Sequence, residues 1–277
     1  MAQIGKFNTL EVTSKTDFGV YLNGENLDTI LLPKKQCPPD VEVGDSVNAF
    51  IYFDSEDRLI ATRQTPYAQV GQCAALTVKD VNGTGAFLDW GLPKDLLVPF
   101  NQQRKPMLVG ERHVVYLYID DYTDRITASA KLSHFLREET DNYQPGDRIE
   151  LMVVKRTNLG YQVIVDQFYL GMIFNEDVLQ PLKPGQKLPG YIKHIRNDNK
   201  IDVSLQLLGH EARVDIGERV MLALKESRGI LYLSDKSSPN DIYQHFQVSK
   251  GNFKKAIGSL YKQGKIKIEA DRILLLK

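Results

Sequence analysis

DRLIATRQ at 57–64, DRITASAK at 124–131 and NKIDVSLQ at 199–206 are three versions of one segment, a polar turn running into an alternating strand. Glycines recur in front of each. Gly5, Gly19 and Gly44 return as Gly71, Gly85 and Gly110, an offset of 66, and again as Gly146, Gly160 and Gly185, an offset of 75. Self-similarity of this kind marks a structural unit used more than once. The units are expected at 1–67, 68–142 and 143–209.

Working outward, each unit contains five strand-like pieces. The first has FNTLEVTSKT, GVYLNG, TILLP, SVNAFIYFD and DRLIATR; the second has CAALTVKDVN, GAFLDWG, LLVPF, RHVVYLYID and DRITASA. The third has RIELMVVKRT, GYQVIVDQ, YLGMIF, KLPGYIKHIR and KIDVSLQ. They are rich in Val, Ile, Leu and Tyr, often alternate, and are bounded by Gly, Asn or Asp. Five short strands in so few residues predict a small antiparallel barrel. Gly19, Gly85 and Gly160 open the second strand, where a missing Cβ permits a bend or a positive φ. VGD at 43–45, VGE at 109–111 and PGQ at 184–186 read as turns before the fourth strand. SHFLREE reads as a helical turn leading into the third unit, and QPLKPGQK at 180–187 as a loop within it.

After Gly209 the apolar period moves from two toward 3.6. Asp215 with Glu218 three residues on predicts a capped helix, its stripe formed by Ile216, Val220, Ala223 and Leu224. GILYLSD at 229–235 reads as a short strand. Ser238-Pro239 starts a second helix with Ile242, Tyr243 and Phe246 inward. Ser249 starts a third, with Phe253, Ile257 and Leu260 inward. KIKIEADRILLLK closes as a hairpin. That order predicts an α/β winged-helix domain over 210–277. Lys254, Lys255 and Lys262 lie on the outer arc of its third helix, with Lys250, Lys265 and Arg272 around its ends and wing, a surface suited to phosphates. No Arg, Asn or Gln sits squarely between Lys254 and Lys262 to read bases, which favours nonspecific or RNA contact over promoter recognition.

Formal net charge is zero, with 35 basic and 35 acidic residues, but it is uneven. Residues 1–209 carry 22 Lys/Arg against 27 Asp/Glu, and 210–277 carry 13 against 8. By unit the balance is 6 to 10, 8 to 10 and 8 to 7, so charge favours the third unit for an anionic ligand. No basic region followed by an apolar stretch opens the sequence, so neither a signal peptide nor a membrane span is expected, and the expected location is cytoplasmic. Cys37 and Cys73 have no metal-ligand spacing and are expected to be reduced thiols. The five histidines form no ligand cluster, and no Walker, GxSxG or HExxH pattern is present. Neither an enzyme, a metal nor a cofactor is expected.

The repeated pattern, Phe18-Gly19-Val20-Tyr21 and Gly85-Ala86-Phe87 with LLVP, VG[DE] and DR[LI] following, resembles the S1 subgroup of OB-fold RNA-binding domains. The third unit departs most: Leu159-Gly160-Tyr161-Gln162 displaces the aromatic by one position. Three S1-like OB barrels plus a winged helix resemble, over nearly the whole chain, the bacterial conserved virulence factor B family. That resemblance implies a mainly β multidomain fold and a post-transcriptional, RNA-binding regulator of gene expression, virulence genes included. It implies base stacking and phosphate contact by Phe18, Tyr21, Phe87, Phe100, Tyr161, Phe174, Arg58, Arg125 and Lys200. Core packing is the competing role for the aromatic rings, and local ion pairing for the two arginines. Trp90 suits either a stacking platform or a lid over a barrel end. Two other readings stay open: a DNA-binding transcription factor acting through the winged helix, and a scaffold docking on ribosome, polymerase or nuclease.

Overall fold

The structure, a computed structural model, describes residues 1–140, 142–178, 180–206 and 209–276, without the side chains of 209–215. The first barrel is built from β1 (Phe7–Thr16), β2 (Gly19–Asn23), β3 (Thr29–Pro33), β4 (Ser46–Phe53) and β5 (Leu59–Thr62). The second uses β6 (Cys73–Val81), β7 (Gly85–Asp89), β8 (Leu96–Pro99), β9 (Arg112–Ile119) and β10 (Ile126–Ser129). The third uses β11 (Arg148–Arg156), β12 (Gly160–Val165), β13 (Tyr169–Phe174), β14 (Lys187–Ile195) and β15 (Ile201–Ser204). All three close in one order: first strand beside second, then third, fifth, fourth and back to the first. Closure between third and fifth strands is parallel each time, Leu31 pairing with Ile60, Leu97 with Thr127 and Gly171 with Ile201. This is the OB-fold barrel the repeats predict.

Closing so few strands needs strong bending, and each barrel bends at the same place. The register between first and second strands shifts at Val12/Ser14, Val78/Asp80 and Val153/Lys155, a bulge that increases local twist. The repeated glycine opening the second strand has a concrete steric reason. A Cβ would stand 2.1 Å from the Leu32 carbonyl oxygen at Gly19, 2.4 Å from that of Val98 at Gly85 and 1.9 Å from that of Ile173 at Gly160. The turn into the fifth strand also repeats: Asp57, Asp124 and Asn199 all hold a left-handed φ, at 59°, 53° and 57°. Asp and Asn tolerate that conformation better than other residues with a side chain.

The barrels are joined by apolar contacts. Phe50 and Tyr52 of β4 belong to the same buried cluster as Trp90, Leu92 and the interior of the second barrel. Trp90 is 3% exposed, with its ring centroid 5.8 Å from that of Phe50, and its Nε1–H donates to the Lys94 carbonyl at 2.6 Å. It is not a stacking platform, because Phe50 and Tyr52 of the neighbouring barrel cover it. The second and third barrels share a smaller cluster containing Cys73, Val114, Leu132, Leu136, Met152, Ile164 and Leu170. The SHFLREE segment at 133–139 overlaps a single 3-10 turn, Leu132–His134, and Leu132 and Leu136 belong to that cluster. Cys37 and Cys73 are free thiols, and burial pushes Cys73 up to about 12.

The last unit contains α1 (Gly209–Glu226), β16 (Ile230–Leu231), α2 (Pro239–Phe246), α3 (Lys250–Lys262), β17 (Ile266–Ile268) and β18 (Ile273–Leu275), its sheet ordered β16-β18-β17. Ser238 and Ser249 cap α2 and α3, accepting the N–H of Asp241 at 3.1 Å and of Asn252 at 3.2 Å. The expected start of α1 needs correction. The helix begins at Gly209, so Asp215 lies inside it rather than at its cap; the Asp215 side chain is outside the described residues. Ile216, Val220, Leu224, Ile242, Phe246, Phe253, Ile257 and Leu260 form its core, with Ala223 half-buried against it; Tyr243, expected inward, is half-buried and outside that core.

Candidate nucleic-acid interface

In the first barrel the β1–β2 turn places Phe18 just outside the strand, and the Lys34 N–H donates to the Phe18 carbonyl at 2.8 Å. That bond fixes the turn while the ring itself stays 76% exposed. Phe18 lines an open groove of about 880 Å³ with Lys15, Lys34, Asp17 and Asp40. Lys15 donates to the Val41 carbonyl at 2.9 Å and to Glu42 at 2.7 Å, whereas Lys34 Nζ has no partner among the described residues. Tyr21, half-buried, sits on the outer face of β2 opposite Ser14 and Leu31 and is not part of that groove.

The equivalent surface is rearranged in the other barrels. In the second, Thr84 stands at the Phe18 position and the exposed ring is Phe100, 51% exposed, immediately after β8. Phe87 takes the Tyr21 position, half-buried, opposite Asp80 and Leu97. In the third, Leu159 replaces Phe18 and Gln162 replaces Tyr21, and the Gln162 Oε1 is buried without a donor among the described residues.

Tyr161 is the clearest correction among the expected contacts. It is 4% exposed, packed in the third core, with its hydroxyl accepting the Leu182 N–H at 3.3 Å. Following Gly160 directly, it occupies the inward slot that Val20 and Ala86 fill elsewhere, so its ring cannot stack on a base. Phe174 is half-buried and carries the Arg196 guanidinium 5.5 Å from its ring centroid; Arg196 in turn pairs with Asp202 at 2.7 Å.

The basic residues expected at phosphates are mostly engaged within the protein. Arg58 pairs with Asp54 at 2.8 Å and Glu56 at 2.9 Å. Arg125 reaches across the first joint to Asp57 at 2.5 Å, and Lys94 reaches the same carboxylate at 2.6 Å. The hydrogen bond from Lys94, then the charges of Lys94 and Arg125, hold Asp57 below the usual carboxylate range. Arg125 is therefore a clasp between barrels, not a free cation. Lys200 is exposed, with Asp198 at 3.6 Å.

On the winged helix, Lys250 is turned inward and donates to the Ser237 carbonyl at 2.7 Å. Lys254 lies 3.8 Å from Asp235, and Arg272 pairs with Glu269 at 2.8 Å. Lys255, Lys262 and Lys265 are exposed with no side-chain partner among the described residues. A Cβ at Gly258 would meet nothing within 4 Å, so the outer face of α3 is open there.

Sequence reasoning missed several positions. Lys34 could have been found by aligning it with Phe100, which follows the third strand in the same way. Tyr67, Arg112 and Lys187, which share a groove across the second joint, carry no local signal at all. No group of three or more His, Cys, Asp or Glu suited to a metal ion occurs among the described residues, and none of their helices is long and apolar enough to cross a membrane.

Residues 4–64 match the S1 domain, and residues 218–275 match the CvfB-like winged helix domain. The uncharacterized protein YitL of Bacillus subtilis (strain 168) is 30% identical over 271 residues, covering 95% of this chain and 90% of that protein. Conserved virulence factor B of Staphylococcus aureus (strain N315) is 28% identical over 283 residues, covering 99% and 94%. A crystal structure of a multidomain protein with nucleic acid binding domains from Streptococcus pneumoniae TIGR4 is 26% identical, covering 99% and 98%, with a TM-score of 0.44. The OB and winged-helix architecture of this chain is compatible with nucleic-acid binding. From the three repeated barrels, the terminal winged helix, the two domain matches and the 30% identity to YitL over 95% of this chain, the chain belongs to the bacterial CvfB-like family of S1/OB proteins with a C-terminal winged helix.

Proposed function

We propose that this protein is a non-catalytic binder of single-stranded RNA that acts in post-transcriptional control of gene expression. The observation that carries the reading is Phe18, a ring left open to solvent in the groove of the first barrel beside Lys34, whose Nζ has no partner among the described residues. An exposed ring beside a free cation is what an unpaired base and its phosphate require. Phe100 offers a second ring, and Tyr21 and Phe87 extend the surface along the outer strands. Lys200 adds charge in the third barrel. The winged helix contributes Lys255, Lys262 and Lys265 as phosphate contacts without base readout, which favours RNA or nonspecific binding over a duplex-reading factor. Several modest sites on one chain raise affinity through effective concentration. Residues 1–67, 68–142, 143–209 and 210–277 are proposed as the four modules.

Titrating a labelled oligouridine and a labelled DNA duplex with the parent protein tests this directly. The single strand is expected to bind more tightly, and Phe18→Ala to weaken it roughly ten-fold. Tighter duplex binding would favour the transcription-factor reading. Binding to a ribosome, polymerase or nuclease without RNA, unaffected by Phe18→Ala, would favour the scaffold reading.

A further inference from the structure

A groove of about 600 Å³ crosses the joint between the second and third barrels, and none of the residues expected to contact RNA lines it. Tyr67, Asp89, Arg112, Gly185 and Lys187 contribute to its walls. The Tyr67 N–H donates to the Trp90 carbonyl at 2.9 Å, which anchors its backbone to the buried joint between the first and second barrels. Its ring lies against Gly91, where a Cβ would be 3.5 Å away, and is nevertheless 63% exposed.

The opposite wall comes from the third barrel. Its turn glycine, Gly185, is packed so closely that a Cβ would stand 2.3 Å from the Ala75 Cβ and 3.7 Å from the Arg112 Cζ. Arg112 is held by one hydrogen bond, from its Nε to the Ala75 carbonyl at 3.2 Å, and pairs with no carboxylate among the described residues. Lys187 has no partner among them either. The one acidic residue in the groove, Asp89, already accepts the Gly91 N–H at 3.0 Å. Two unpaired cations against one carboxylate make this groove net positive. The groove at Phe18 holds two lysines against two aspartates.

We infer that this inter-barrel groove is a second binding site for single-stranded nucleic acid, with one base stacked on Tyr67 and adjoining phosphates held by Arg112 and Lys187. The inference rests on the RNA-binding reading above and adds a path that runs between barrels instead of over one. The site exists only while the second and third barrels stay docked, since each contributes one of its cations.

The test uses the full chain and a labelled oligouridine of roughly 16 nucleotides. Tyr67→Ser is expected to weaken binding roughly ten-fold, and Tyr67→Phe to preserve it. Replacing Arg112 and Lys187 together by Gln is expected to lower the slope of log affinity against log salt by about 1.4. All three side chains are exposed, so unchanged melting curves should accompany these effects. In the unsubstituted protein, photocross-linking to a 4-thiouridine oligonucleotide should label the tryptic peptide spanning 64–79. Parent-like binding by both groove variants, with adducts confined to the peptide spanning 16–34, overturns the groove and leaves the RNA reading intact. A parent protein that binds no oligouridine removes the reading itself, and the groove with it.

Discussion

The first and third barrels have the same strand order, the same bulge and the same forced glycine, yet they present different chemistry on the same surface. Around Gly19 the sequence puts Phe18 in solvent, Val20 in the core and Tyr21 on the outer face. Around Gly160 it puts Leu159 in solvent, Tyr161 in the core and Gln162 on the outer face. One position of displacement moves an aromatic ring from outside to inside, because successive side chains of a strand point to opposite faces. The backbone constraints that make the barrel are thus independent of the residues that would touch a ligand. A repeat can be recognisable as a fold while losing one part of its surface and presenting another, here Lys187, which shares a groove with Arg112 of the second barrel.

The largest expected effect tests this inside–outside difference. Tyr161→Ala should cost about 3–5 kcal/mol of stability in the third barrel, since it empties a packed core site. Tyr21→Ala should cost far less and act on RNA affinity. Chemical denaturation of both variants decides; equal losses would erase the distinction. Next, Phe18→Ala and Phe87→Ala should each weaken oligouridine binding by an amount equivalent to about 1–3 kcal/mol, with melting near that of the parent. Leu159→Ala should leave affinity unchanged, and a comparable loss there would show that the third barrel binds despite its missing ring.

A pH experiment sharpens the role of the first joint. Asp57 titrates below its ordinary value of 3.8 in the folded protein, so its contribution is complete above that value and disappears as pH falls through the lower one. The stability difference between the parent and Asp57→Asn should therefore be full at neutral pH and close below 3.8. Trp90, the single tryptophan, reports the transition by its fluorescence. The remaining difference should be small, because exposed ion pairs contribute little and the shared Phe50–Trp90 core holds the two barrels. The smallest effect is expected at the winged helix. Lys255→Gln should lower the salt slope of RNA binding by about 0.7 without changing any preference among sequences.

The sequence by itself determined the three barrels and the winged helix. Its repeated glycines answer a local steric demand, its strands alternate with a period of two, and Ser238 and Ser249 cap their helices through neighbouring N–H groups. All of these act within a few residues, so they are legible in order along the chain. Only the tertiary structure decided which rings and charges are available. Trp90 is covered by Phe50 of another barrel, Arg125 is bound to Asp57, 68 positions away, and Tyr67, Arg112 and Lys187 meet because two barrels dock. Alternation tells that a side chain leaves one face of a strand, but not whether water or a neighbouring barrel waits on that side.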